Sequence, residues 1–258
     1  MEVAHYAIIG GTGVYDAGAL LDAHDVNIET PYGTATCTVG IYHDKAVTFM
    51  PRHGKNHHVP PHQVNYKANI WALKELGVTQ IFATAAVGSL RLSLPPGTLV
   101  IVDQFLDFTK ARSVTFFEDG NKVIHTDMTD PYCGRLRQHL KRTAIEKNIG
   151  ITYGATYVCA EGPRFETPAE IRFYTQIGGD VVGMTTVPEV VLAKELGICY
   201  ATVAMVTNFA AGMTGQPLSH QEVLSVMADN VHQVRDLFFA AIDSLDRQVS
   251  CVCQSETR

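Results

Sequence analysis

Short apolar runs rich in β-branched residues alternate along the chain with longer stretches whose apolar positions recur every three to four residues. The first kind fall at residues 4–9, 46–50, 80–85, 98–102, 154–159, 180–183 and 199–206, and they predict strands. The second kind predict helices, and several of their starts carry explicit signals. Thr167-Pro168-Ala169-Glu170 and Thr186-Val187-Pro188-Glu189 each place a threonine N-cap three residues before a glutamate, with proline in the first turn. Ser219-His220-Gln221-Glu222 repeats the cap pattern ahead of a long helix bearing Val223, Val226, Val231, Val234, Leu237 and Phe238. Another helix is expected to start at Asp130-Pro131 and end near Asn148-Ile149-Gly150, and one follows Pro60-Pro61, carrying Tyr66, Ile70, Trp71, Leu73 and Leu76. The alternation predicts an α/β fold with a largely central sheet. Residues 107–130 show no clear period, and a loop of that length in a compact domain is usually functional or at an interface.

With 258 residues, 46% of them hydrophobic, the chain has material for one large core, so a single domain over residues 1–248 is expected, with a flexible tail over 249–258. A net charge of -6 leaves no basic stripe, which argues against nucleic acid or an anionic membrane as partner. Met1 leads straight into a strand-like run with no basic leader, and no apolar stretch approaches the roughly 18 residues that span a bilayer. A cytoplasmic protein is expected. The six cysteines (Cys37, Cys133, Cys159, Cys199, Cys251, Cys253) are scattered without metal-ligand spacing. Cys251-Val252-Cys253 alone looks deliberate; it reads as a frayed tail with two exposed thiols in preference to a redox clip or metal handle.

Candidate chemistry gathers at strand ends, where open α/β sheets place their ligands. Gly10-Gly11-Thr12-Gly13 follows the first strand; it is neither a dinucleotide fingerprint nor a Walker loop, and it reads equally as a phosphate turn or a plain tight turn. Pro51-Arg52-His53-Gly54 offers a guanidinium fork and an imidazole to an oxyanion. The histidines His53, His57, His58 and His62 crowd this loop, but no acidic or thiolate partner stands at recognised spacing, so no metal is expected. In Glu161-Gly162-Pro163-Arg164-Phe165-Glu166 an aromatic ring and a carboxylate can stack a flat ring and accept its N–H groups, or Glu166 simply favours a helix start. Gly183-Met184-Thr185-Thr186 presents a hydroxyl and N–H groups at a helix start. Asn208 ends the last strand, where its amide can hold a ring carrying a carbonyl beside a basic nitrogen, or merely cap a turn.

These segments, with Val64-Asn65-Tyr66-Lys67-Ala68-Asn69-Ile70-Trp71-Ala72-Leu73 and Thr186-Val187-Pro188-Glu189, occur in an order that resembles the trimeric purine nucleoside and methylthioadenosine phosphorylases over nearly the whole chain. The resemblance implies one α/β domain with a mixed, partly barrel-like sheet flanked by helices. It implies phosphate held by Thr12, Arg52, His53, the N–H of Ala86 and Thr185, with Ala85 where the family usually has a polar residue. Met184 would lie against ribose and Phe165 near the base, with Ala210 beside it. His125 would reach a neighbouring subunit's sugar pocket in a homotrimer. Asn208 and His53 would take part in the chemistry. Glu166 with Asn208 resembles the 6-oxopurine branch, since 6-aminopurine members carry a serine and aspartates at Glu166, Asn208 and Ala210. His220 matches the histidine that binds a 5′-hydroxyl, which favours inosine or guanosine, although the chain also resembles methylthioinosine phosphorylases. The implied reaction is reversible phosphorolysis with phosphate as co-substrate and no cofactor; a nucleoside sensor and a nucleoside hydrolase remain open.

Overall fold

The computed structural model describes residues 4–11, 19–118, 120, 123–214, 220–246 and 251–255, with the side chains of 220–229 and Ser255 outside that description. Strand β1 (Tyr6–Gly10) is buried throughout and runs parallel to both of its neighbours, β4 (Lys45–Pro51) and β5 (Gln80–Ser89). Strand β5 is where the sheet forks. One arm continues through β10 (Val181–Gly183), β9 (Thr156–Ala160) and β7 (Gln104–Phe108); the other runs through β11 (Cys199–Phe209), β6 (Leu99–Ile101) and β8 (Thr152–Tyr153). The arms are rejoined where Asp103 N–H donates to Ala155 O (3.1 Å), which rolls the mixed sheet partly into a barrel.

Helices α1 (Tyr66–Glu75) and α4 (Thr186–Glu195) pack together over one face, and α2 (Gly134–Glu146) and α5 (His220–Ser244) over the other. Each pair seals its own apolar cluster, with Ile70, Leu73 and Leu192 in the first and Leu136, Leu237 and Phe238 in the second, all fully buried. Each such side chain contributes about 1.5–3 kcal/mol by leaving water.

The expected strands all form, with β5 and β11 running further than their apolar runs. Four strands lie outside the expected runs: β7, β8 and the two strands of an edge hairpin. Strands β2 (Leu21–Thr30) and β3 (Gly33–Tyr42) make an antiparallel hairpin at the sheet edge, and β2 is polar and almost wholly exposed. Its outward face is held by cross-strand pairs instead of burial: Thr34 to Glu29, Thr36 to Asn27 and Thr38 to Asp25.

Helix α3 (Pro168–Gln176) carries the expected capping box, Thr167 accepting from Glu170 N–H and Glu170 accepting from Thr167 N–H. The one expected at Thr186 does not form. The N-cap there is Thr185, Val187 is extended (φ -111°, ψ 129°), and Glu189 turns inward to a buried arginine. Helix α2 starts at Gly134, later than Pro131 suggested, and α1 starts after a 3₁₀ turn, capped by Asn65 on Ala68 N–H.

The C-terminal cysteines correct a further expectation. Cys251 is half-buried and Cys253 only 4% exposed, because the short helix α6 (Val252–Ser255) folds back onto the body of the protein. No described helix is long and apolar enough to cross a membrane.

Candidate active site

The fork leaves a window in the sheet. Pairing of β1 with β5 ends at Ala83 and pairing of β10 begins at Gly88, so residues 84–87 have no strand beside them on that edge. Into this window opens a cavity of about 570 Å³, a size suited to a small ligand. Ala86 is the one exposed residue of β5 and lines it.

Arg52 stands at the window's edge, 3% exposed, at the end of β4. Its Nε and Nη2 donate to the two oxygens of Glu189 (2.8 and 2.7 Å), and Nη1 donates to Thr84 O (2.8 Å). Tyr200 braces the carboxylate from behind, its hydroxyl donating at 2.6 Å. Burial would lower the Arg52 pKa, but the Glu189 carboxylate more than offsets it, and the guanidinium is held more firmly charged. A guanidinium has five N–H groups. Three are spent, leaving one on each terminal nitrogen for an anion in the cavity.

Because a residue's N–H and C=O share one side of a strand and sides alternate with a period of two, Ala86 N–H faces the same open edge as Thr84 O. It points where Arg52 points.

His53 Nδ1 lies 2.8 Å from Val59 O, while Val59 N–H donates back to His53 O at 3.1 Å. A carbonyl can only accept, so Nδ1 carries the proton. Burial, with Arg52 adding to it, lowers the imidazole pKa to about 4. At neutral pH Nε2 is therefore a bare acceptor. This revises the sequence expectation of a second donor, since Nε2 offers the cavity an acceptor only.

Thr185 is 7% exposed and its N–H donates to Tyr157 Oη at 3.3 Å. The approach requires glycine at 183, since a Cβ there would collide with that same hydroxyl. Gly162, at φ +69°, is likewise free of a Cβ that would come within 2.6 Å of Met184 Sδ.

At the cavity's other end stand Phe165, Glu166, Met184, Asn208 and Ala210. A register shift in β11 between Val206 and Asn208 re-aims the strand end. The Asn208 amide is then fixed by two contacts: Thr207 Oγ1 donates to Oδ1 (2.8 Å), and Nδ2 donates to Phe209 O (2.9 Å). One amide hydrogen and one Oδ1 lone pair remain. Glu166 Oε1 is buried without a hydrogen-bond partner. Burial raises the Glu166 pKa, only partly opposed by its own backbone N–H.

Nine of the expected site residues thus line one cavity: Arg52, His53, Ala86, Phe165, Glu166, Met184, Thr185, Asn208 and Ala210. Thr12 and the side chain of His220 lie outside the described residues. His125 is exposed and not part of the lining. Sequence reasoning gave no positioning role to Glu189, Tyr200 or Thr207, and none at this site to His57, whose ring packs 4.7 Å from that of His53.

The family model described as the phosphorylase superfamily matches residues 5–243. The chain belongs to that superfamily. A relative from Moorella thermoacetica, named a probable 6-oxopurine nucleoside phosphorylase, is 58% identical over 96% of this chain and 95% of its own. One from Methanothermobacter thermautotrophicus, named a probable S-methyl-5'-thioinosine phosphorylase, is 48% identical over 97% and 88%. Among solved structures, a methylthioadenosine phosphorylase from an antarctic soil metagenomic library superposes with a TM-score of 0.93 at 39% identity, covering 99% of this chain and 91% of the other.

Proposed function

We propose that the protein is a 6-oxopurine nucleoside phosphorylase, a pentosyltransferase that cleaves inosine or guanosine with inorganic phosphate to give the free base and ribose 1-phosphate. The observation that carries the base preference is the buried, unpartnered Oε1 of Glu166 at the end of the cavity that Asn208 also lines. A 6-oxopurine presents N1–H to that oxygen and O6 and N7 to the amide. Adenine presents a lone pair at N1, leaving the carboxylate unpaired at a cost of about 1–3 kcal/mol, enough for strong discrimination.

The phosphate end follows from the same geometry. The two spare N–H groups of Arg52 and the N–H of Ala86 receive ionised oxygens, with Thr185 beside them. His53 Nε2 accepts the remaining P–OH, which fixes the rotation of the dianion and aims an ionised oxygen at the anomeric carbon. As the glycosidic bond stretches, positive charge grows on the sugar and negative charge on the purine, where Asn208 receives it. No covalent enzyme intermediate, metal or cofactor enters this scheme.

A substrate panel run with and without phosphate tests the reading. Base is expected from inosine and guanosine only when phosphate is present, with adenosine far behind. Release without phosphate would indicate hydrolysis, and none under either condition would indicate a binding protein. The panel includes methylthioinosine, the second reading, which the name of the Methanothermobacter relative favours.

The raised Glu166 pKa adds a pH signature. As pH falls through that pKa the carboxyl gains a proton and becomes a donor, which suits adenine N1 and repels inosine N1–H. The ratio of kcat/KM for inosine over adenosine is therefore expected to fall with acidification and to level off at higher pH. Glu166→Gln should flatten this dependence, and a wild-type ratio that stays constant from neutral pH down to the acid limit of the enzyme's activity would count against the carboxylate's role.

The site is completed, in this proposal, by trimer formation in the cytoplasm, with His125 of one subunit reaching the sugar end of the next. Exposed Phe165, Phe173 and Ile177 offer apolar surface at and around α3 for a neighbouring copy to cover.

A further inference from the structure

Cys133, Cys199, Cys251 and Cys253 come from three separate stretches of the chain, yet their sulfurs all lie within 4.8 Å of one another. Cys133 is the N-cap of α2, Cys199 opens β11, and α6 carries in the other two. Cys133 N–H donates to Tyr200 O (2.8 Å), which locks the first two elements together, and Gln254 N–H donates to Cys251 O (2.9 Å), which closes the turn presenting the second pair. Three of the four are buried, the fourth is half-buried, and none is in a disulfide. None lines the cavity described above. It is the one such group of ligating side chains among the described residues.

Zinc binds thiolate sulfur at about 2.3 Å, which makes the edge of a tetrahedral four-sulfur shell about 3.8 Å. The Cys133 and Cys251 sulfurs are 3.7 Å apart. The surroundings suit a set of thiolates as well. Arg135 Nη2 lies 3.7 Å from Cys199 Sγ while donating to Gln80 Oε1 at 2.8 Å, so a cation is fixed beside the sulfurs. The start of α2 adds the favourable end of its dipole.

We propose that these four cysteines form a closed tetrathiolate site for one thiophilic divalent cation, zinc first, which staples the C-terminal segment to the starts of α2 and β11. Binding releases four thiol protons and changes no oxidation state. The resulting shell carries a net charge of about -2, which Arg135 offsets in part. An all-sulfur donor set with no open position selects for zinc over magnesium or calcium and makes the site structural.

The test uses the full chain, produced without a metal-affinity tag. Elemental analysis is expected to find about one zinc per chain. Replacing zinc by cobalt should give the intense ligand-field bands of a tetrahedral tetrathiolate, and all six cysteines should titrate as free thiols in denaturant without reductant. The double variant Cys251→Ser, Cys253→Ser should lose both metal and bands while its phosphorolysis at moderate temperature is retained. Two disulfides by intact mass in place of metal would overturn the proposal. So would fully reduced wild type that takes up neither zinc nor cobalt, a result that does not depend on any variant folding.

Discussion

Asn208→Ala is expected to cut turnover on inosine by about a hundredfold or more, the loss of about 2.7–4 kcal/mol that follows removal of one preorganised donor at a site of growing charge. The reason for so large an effect lies in how the amide is held. Thr207 on one side and Phe209 on the other fix its orientation before substrate arrives. The remaining N–H and lone pair need no reorganisation as the purine departs. The KM for phosphate should change little, because Arg52 and Ala86, the proposed phosphate ligands, share no hydrogen bond with the amide. Steady-state kinetics on inosine at varied phosphate separates the two parameters, and near-normal kcat would remove Asn208 from the mechanism.

Glu189→Ala is expected to be the most destabilising single change near the site. It strips two charge-assisted hydrogen bonds from Arg52 and one from Tyr200, and leaves a guanidinium buried without its counterion. Breaking one side of such a pair costs about 3–5 kcal/mol. At roughly 2–4 °C per kcal/mol for a chain of this size, the melting temperature should drop by about 6–20 °C. The KM for phosphate should rise as well, since Arg52 loses the fork that sets its aim, whereas the KM for inosine should move less. Glu189→Gln keeps the shape and an acceptor and should fall between the two. An unchanged melting temperature together with an unchanged phosphate KM in the alanine variant would falsify the positioning role.

Much of this site is legible in the amino-acid sequence alone. The central strands announce themselves as apolar runs, and the functional loops fall at their ends because a twisted sheet leaves its strand termini accessible while burying their middles. Arg52, Glu166 and Asn208 could be singled out on that ground alone. Glu189 could not, because Thr186-Val187-Pro188-Glu189 imitates a helix cap so well that its glutamate looks accounted for locally; only the fold brings Arg52 from 137 residues away to claim it. The β2–β3 hairpin was passed over for a different reason: its apolar positions, Val26 and Ile28 on one strand and Ala35, Cys37, Val39 and Ile41 on the other, alternate with polar residues and glycine and form no continuous apolar run. The convergence of the cysteines was equally hidden, since Cys133 and Cys251 lie 118 residues apart and neither belongs to a recognisable ligand spacing.

The window in β5 has a further meaning for how the molecule avoids harm. Unpaired strand edges ordinarily invite other chains to add themselves, the usual first step of aggregation. Here the bare stretch is interior, fenced by β1 at one end and β10 at the other, so no foreign strand can align with it along its length. Only something compact can satisfy the backbone left open at Ala86. A tetrahedral oxyanion is compact, and in the proposed reaction it takes the rung that a twelfth strand would otherwise supply, so the fault in the ladder acts as a size filter on what the protein will accept as its nucleophile.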